Sequence, residues 1–311
     1  MQNVIRQPLL PARVSAAREC APPMWVDSWV GLAESTVQST APVQLTIRTG
    51  RDATLITARV VDARAAVDAD MFRSRVVSAY DVIRCAIAAG PHAHVVRMWN
   101  HVPGIGDPMG DAVDRYMTFN AGRHAAMTRW FGPSLASLAP AASGVGHDGD
   151  DLVIHALATH EPGRPIENAN QVPAYRYSTR YGPLPPCFAR ATLTRAPRQA
   201  LLISGTAAIT GEQTRHAGVL RRQFELTLDH LRTLLKSVPA NGVARSDADD
   251  VLSRLAQVRI YVPRAEDRSQ IAEWSRETFS DDVQVWHADL CRPDLLVEIE
   301  GYAPIEGSTE L

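Results

Sequence analysis

The chain has 311 residues, 45% hydrophobic and 21% charged, with a formal net charge of −2. That length suits one large domain or two ordinary ones, and the near-neutral balance argues against a dedicated nucleic-acid binder, which carries a basic surplus. Lys236 is the only lysine, so an anionic ligand must be held by arginine and a lysine Schiff base is not expected. Cys20, Cys85, Cys187 and Cys291 lie far apart without a C-x-x-C pair. This fits a reducing, cytoplasmic setting rather than a disulfide scaffold or a zinc finger. No run reaches the length of a membrane-spanning helix, and MQNVIRQPLLPARVSAAREC lacks the apolar core of a signal peptide. Residues 1–24 read as a loosely ordered leader.

From Val43 the pattern becomes regular. Val43, Leu45 and Ile47 alternate, and ATLITARVV follows the turn at Gly50–Asp52, which predicts a hairpin. Ala65–Ala89 is predicted helical, with Phe72, Val76, Ile83 and Ile87 at helical spacing. Ala93–Trp99 reads as a strand. Asp111–Phe131 reads as a second helix after the loop VPGIGDPMG. GVGHDGD reads as a turn, and Asp151–Thr159 as a strand. The Pro-rich, polar stretch Glu161–Pro186 is the candidate junction between a domain over residues 25–165 and another over 166–311. The rhythm then repeats: a hairpin from ARATLT and ALLISG, then an amphipathic helix at Ala217–Lys236 with Leu220, Phe224, Leu228, Leu231 and Leu235 on one stripe. A strand at Gln257–Val262, a helix at Ala265–Phe279 and a closing strand at Leu295–Tyr302 follow. Two α/β domains result, each a sheet with two helices on one face.

The closing strand is the most informative segment. Leu295, Val297 and Ile299 alternate with Leu296, Glu298 and Glu300, so both glutamates share one face. A carboxylate among apolar neighbours loses solvation and its pKa rises, which is how a general acid stays protonated near neutral pH. The alternative is an edge strand with a wet polar face. Arg176, Tyr177, Arg180, Tyr181 and Arg190 crowd one segment, and arginine forks with tyrosine hydroxyls suit carboxylate recognition. His92 and His94 alternate on a strand but lack a third metal ligand. Asp148, Asp150 and Asp151 lack the calcium-loop pattern. VPGIGDPMG is no phosphate loop. No metal or cofactor site is expected.

The second half resembles the reactive-intermediate deaminase (RidA) family. The likeness rests on the order PPCFARATL, SGTAAITGE, the long helix, QVRIYVPRAED and PDLLVEIEGYA. Two departures set it apart from an ordinary enamine deaminase. Phe188 is followed by Ala189 and Arg190 where the family has a serine, and the family's carboxylate-holding arginine has no match in DDVQVWHAD. In the first half, RMWNHVPGIGDPMGDAVDRYMTFNAGRHAAM at Arg97–Met127 resembles the R-x-W-N…P-G-I…Y-x-x-F-N-x-G-R segment of the chorismatases. The likeness continues through AYRYSTRYGPLPPCFARA.

That resemblance implies two RidA-like (chorismate-mutase-like) α/β domains, each a mixed sheet with two helices packed on one face. It implies chorismate as the small-molecule substrate, with no cofactor, no metal, no nucleic acid and no membrane, in a monomer or homotrimer. Glu298 falls on the family's acid and Cys291 on the cysteine that marks the branch forming 3-hydroxybenzoate. The substrate contacts implied are Tyr177, Tyr181, Phe188 and Arg190, with Gly205, Thr206 and Ala207 as a close-packed wall. The alternatives are a hydrolytic branch giving a dihydroxycyclohexadiene carboxylate, a mixed 3- and 4-hydroxybenzoate former, and a non-catalytic small-ligand binder on the same scaffold.

Overall fold

The structure is a computed structural model and describes residues 20–305 apart from 32, 111, 239–249, 280 and 281. A short helix α1 (Trp25–Val30) opens the chain, followed by strands β1 (Glu34–Thr40), β2 (Val43–Thr49) and β3 (Ala53–Val60). Helix α2 (Ala69–Ala89), strand β4 (His94–Pro103), helices α3 (Arg115–Phe131) and α4 (Leu135–Leu138), and strands β5 (Ala141–His147) and β6 (Leu152–Thr159) complete the first sheet. Its order is β1-β2-β3-β6-β4-β5.

The second sheet uses β7 (Arg164–Ile166), β8 (Ala191–Thr194), β9 (Ala200–Ala207), β12 (Gln257–Val262), β13 (Val283–His287) and β14 (Glu298–Pro304). They run in the order β13-β12-β14-β9-β8-β7. A two-stranded ribbon, β10 (Ile209–Thr210) and β11 (Gln213–Thr214), precedes helix α5 (Leu220–Lys236), and α6 (Arg268–Thr278) follows β12. Both sheets mix parallel and antiparallel pairs.

Each sheet buries one face under two helices. Phe72, Val76 and Tyr80 of α2 and Phe119 and Met127 of α3 pack on Leu45, Ile56, Met98 and Ile154. The leucine stripe of α5 and Ile271 of α6 pack on Leu201, Ile203, Ile260 and Ile299. The opposite faces meet each other. Trp25, Trp29, Trp99, Leu157, Leu202 and Tyr302 form the seam, where Trp25 stacks on Tyr302 at 4.8 Å. With both faces covered, β4 and β6 are buried along almost their whole length, and the polar residues that β4 carries, such as Arg97 and Asn100, are buried with it.

The helices begin where short acidic caps stand. Asp68 and Asp114 accept the amides of Met71 and Met117, so α2 and α3 start later than the periodicity alone predicts. Three elements escape the periodicity. Strand β1, STVQST after its first residue, is an exposed polar edge with no alternation. Strand β5, AASGVGH, includes the first half of the expected turn GVGHDGD, and its amides bond across the seam: Ala141 N donates to Thr192 Oγ1 and Ala142 N to Ser204 Oγ, both at 2.8 Å. Strand β13 is added parallel to β12 at the far edge. The closing strand begins at Glu298 rather than Leu295. Residues 1–19 of the expected leader lie outside the described residues. Beyond them, the Cys20 carbonyl accepts from His155 Nε2 at 2.6 Å and the Ala21 carbonyl from Arg259 Nη1 at 2.8 Å. No helix among the described residues is long and apolar enough to cross a membrane.

Helix α3 packs tightly on α2 at Gly122. A Cβ there would stand 2.8 Å from the Val76 Cβ and 2.9 Å from the Arg73 carbonyl, and backbone cannot yield cheaply. Overpacking of this kind costs about 1–3 kcal/mol, against a helix-propensity gain of about 1 kcal/mol. Gly122→Ala is expected to lower the urea midpoint; an unchanged or higher midpoint would show that the helices part freely.

Candidate active site

A cavity of about 350 Å³ opens where the seam between the sheets ends, a size that suits a small organic ligand. Both sheets contribute. The start of α3 brings Tyr116, Met117 and Arg123, and β5 brings Ala142, Ser143 and Gly144. The segment before β8 brings Tyr177, Tyr181, Phe188 and Arg190. The end of β9, the loop at Cys291–Asp294 and the start of β14 close it.

Glu298 is the first residue of β14 and is buried with its carboxyl against the cavity. Burial, reinforced by the nearby charge of Glu300, raises its pKa to about 8, although Arg97 and Arg190 pull the other way. Gly205 makes the room: a Cβ there would lie 1.9 Å from Glu298 Oε1. Glu300, two residues on, shares the same strand face but not the same environment. Its Oε2 takes Arg97 Nη2 at 2.7 Å and the Ser143 hydroxyl, and its Oε1 takes Trp99 Nε1 and the Tyr261 hydroxyl, each at 3.2 Å. Four donors therefore hold Glu300 away from the cavity, while Ser143 Oγ also accepts the Gly205 amide at 2.9 Å.

The cationic wall is built of buried arginines braced by aromatic rings. Arg190 Nη2 donates to the Val172 carbonyl at 3.0 Å and to the Tyr177 hydroxyl at 2.7 Å. Phe188 lies between Arg190 and Arg123, with guanidinium carbons 5.2 and 5.5 Å from its ring centre. Arg123 keeps Nε and Nη2 buried without a hydrogen-bond partner among the described residues. Arg292 lies 3.7 Å over the Tyr181 ring and is tied to the Glu212 carbonyl and Thr214 Oγ1. Buried guanidinium groups without carboxylate partners constitute an anion site. The Cys291 thiol lines the same cavity, and burial next to Glu298 pushes its pKa up to about 12, so it is a neutral thiol and not a thiolate nucleophile.

Glu298, Cys291, Tyr177, Tyr181, Phe188, Arg190, Gly205 and Ala207 thus meet at one cavity. Thr206 does not. It pairs with Ile299, whose side chain packs under the helices, so Thr206 shares that face and its hydroxyl donates to the Ser204 carbonyl. A bulge between Ile299 and Gly301 shifts the register of β9 against β14, so that Gly205 and Ala207 face the cavity and Thr206 does not. Arg176 and Arg180 also stay outside the lining. Sequence reasoning missed Arg123, Ser143 and Arg292. The signal for Arg123 was its place four residues after Phe119 on the buried stripe of α3. No group of three or more His, Cys, Asp or Glu side chains suited to a metal occurs among the described residues.

The fold and cavity define a two-sheet α/β protein with a protonated carboxyl and an arginine wall for a small anion. Residues 27–158 match the family model described as the N-terminal part of FkbO/Hyg5-like chorismatases. A 3-hydroxybenzoate synthase of Streptomyces hygroscopicus is 36% identical over 222 residues, 68% of this chain and 63% of that protein. A chorismatase of the same organism is 33% identical over 261 residues, covering 82% of this chain and 70% of the relative. A crystal structure of a chorismatase superposes with a TM-score of 0.73 at 28% identity, over 86% of this chain and 78% of that one. The chain belongs to the chorismatase family. It spans 63% of the length of the first of these relatives.

The raised pKa of Glu298 has a thermodynamic consequence independent of any ligand. A carboxyl that binds its proton more tightly folded than unfolded stabilises the fold fully below its unfolded pKa, near 4.5, and loses that contribution as pH rises through about 8. Glu298→Gln removes this loss. The variant is expected to match the wild type near pH 4 and to exceed it by roughly 2–4 kcal/mol near pH 9 in denaturant unfolding. Parallel stability curves across that range would show that Glu298 is not held protonated.

Proposed function

We propose that the protein cleaves the enolpyruvyl ether of chorismate to pyruvate and 3-hydroxybenzoate, with Glu298 as general acid. The observation that carries the reading is a carboxyl with pKa about 8 facing a cavity walled by Arg123, Arg190 and Arg292. Chorismate has two carboxylates and an enol ether, and this cavity offers partners for all three. Arg190 with the Tyr177 hydroxyl takes the ring carboxylate, leaving Arg123 and Arg292 for the enolpyruvyl carboxylate.

In this mechanism Glu298 gives its proton to the terminal methylene carbon, the enol-ether π pair forms the new C–H bond, and an oxocarbenium ion develops on the ether carbon. The carboxylate left behind stabilises that cation. The neighbouring ring hydroxyl then forms a C–O bond to the ring carbon that bears the ether and passes its proton to the Glu298 carboxylate. Pyruvate leaves with the electrons of the broken C–O bond. The epoxide opens, its oxygen takes a proton and a ring C–H proton is lost, so this isomerisation has no net proton change and Glu298 ends protonated. The two products together contain every atom of chorismate, so no water is consumed and no cofactor is needed; the hydrolytic branch adds one water. Support for the synthase branch comes from the name of the first relative and from the neutral Cys291 thiol at the cavity wall beside Glu298. We place the chain in the cytoplasm, a reading supported by four cysteines that lie far apart in the sequence without a C-x-x-C pair.

Purified protein incubated with chorismate is expected to release pyruvate together with 3-hydroxybenzoate, resolved by chromatography. Because the acid must be protonated, kcat should be level below about pH 8 and fall above it. Glu298→Gln should lower kcat at least about a hundredfold while product binding persists; near-normal pyruvate release by this variant removes Glu298 from the mechanism.

Ring hydroxyl and water compete for one activated intermediate, and about 1.4 kcal/mol changes their ratio tenfold. Cys291→Ala is expected to keep pyruvate formation but shift product from 3-hydroxybenzoate toward the dihydroxycyclohexadiene carboxylate. An unchanged product ratio would make Cys291 a packing residue.

A further inference from the structure

Near Arg190 stands a carboxylate, Glu167, that the mechanism does not use. Strand β7 pairs with β8 so that Ile166 faces Ala191, and the next step of that register sets Glu167 beside Arg190. Glu167 does not line the cavity. Both of its carboxyl oxygens are buried without a hydrogen-bond partner among the described residues, and so is Arg190 Nε. The guanidinium therefore stands in the field of two carboxylates, Glu167 and any anion bound in the cavity.

We propose that Glu167 is the affinity-determining residue of the anion site: it competes with the bound carboxylate for Arg190 and yields the guanidinium to the ligand by taking up a proton. This rests on the reading of the cavity as a carboxylate site. The groups around Glu167 agree with it. From the turn at Ala174–Arg176, Arg176 adds positive charge and Tyr175 stays a neutral phenol raised by burial and by Glu167 itself. From α5, His230 sits buried near Arg190, and burial with that charge pushes its pKa down, so it adds no cation; Asp229 beside it acts on His230 in the opposite sense. Burial raises Glu167 to about 7 against the pull of Arg190 and then Arg176. The residue therefore changes charge in the neutral range.

Linkage fixes the direction. A ligand carboxylate at Arg190 adds negative charge near Glu167 and raises its proton affinity. By reciprocity the proton raises ligand affinity by the same factor. One unit of displacement in the Glu167 pKa corresponds to about tenfold in affinity.

The test is titration calorimetry with 3-hydroxybenzoate in the Glu298→Gln protein, which removes the proton of the proposed general acid from the binding equilibrium. Affinity is expected to weaken about tenfold between about pH 5.5 and 8.5. Near pH 7, two buffers of different ionisation heat should reveal proton uptake on binding. Adding Glu167→Gln should abolish the uptake and hold affinity at its low-pH level throughout. Binding by Glu298→Gln without proton uptake overturns the inference with no need of the second substitution, and so does an identical pH slope in both variants. Absence of 3-hydroxybenzoate binding at every pH also overturns it. Pyruvate release from chorismate by the wild type is judged separately, so the enzymatic reading can survive any of these failures.

Discussion

The ion pair between Arg97 and Glu300 holds the two halves of the molecule in register. Arg97 comes from the first sheet and Glu300 from the second, and both are almost wholly buried. Two such charges are costly to remove from water, and geometry must offset that cost. Here the carboxylate takes donors from Arg97, Ser143, Trp99 and Tyr261, so its lone pairs are used. Ser143 then carries the constraint onward by accepting the Gly205 amide, and Gly205 is the residue against which Glu298 lies. The negative charge fixed at Glu300 also helps raise the pKa of Glu298. A structural ion pair and a titrating cavity carboxyl are thus two results of one arrangement.

Charge is sorted on the two sides of this hub. Arg97 is matched within the protein, whereas Arg123 and Arg190 are braced by Phe188 and left without a carboxylate bond among the described residues. Aromatic faces hold a guanidinium in place without using up its donors. A lysine would lose both the stacking and the planar fork, so an arginine-rich chain is suited to this wall. Glu298 faces the same cavity yet is held mainly by burial, which favours its neutral form. A neutral acid can sit near unpaired cations without forming a salt bridge that would make it a carboxylate.

The two sheets repeat one plan with different edges. Each puts two helices on one face and offers the other to its neighbour. The seam is apolar at Trp25, Trp99 and Tyr302 and becomes polar around Ser143 and Glu300, next to the cavity. Strand β5 is the crossing point. Its small side chains let Ala141, Ala142 and Ser143 approach β8 and β9 closely enough for direct bonds. At Gly146 a Cβ would meet Ile105 at 2.5 Å, so bulk there is excluded by packing.

Alternation and helical spacing by themselves determined the strands β2, β3, β6 and β12, the long helices, and the placement of Glu298 and Glu300 on one face of the last strand. Those features depend on neighbours within a few residues, and burial of one face imposes their period. The clustered Tyr177, Tyr181, Phe188 and Arg190 were also legible, because one segment carries them. What only the tertiary structure decided is what stands opposite each face. Glu298 and Glu300 are equivalent by periodicity, and Arg97, Trp99 and Ser143 from the other sheet make them different. Thr206 fits a run of pocket residues in sequence, and the bulge between β9 and β14 turns it toward the helices. GVGHDGD reads as a turn because small residues carry no period, yet pairing with β4 makes its first four residues the end of strand β5, whose start bonds to β8 and β9. Spacing sets Arg123 on the same stripe of α3 as Phe119, but only packing beside Phe188 makes it part of the cavity wall. Local pattern specifies which way a side chain points; long-range packing specifies the charge and the solvent it meets there.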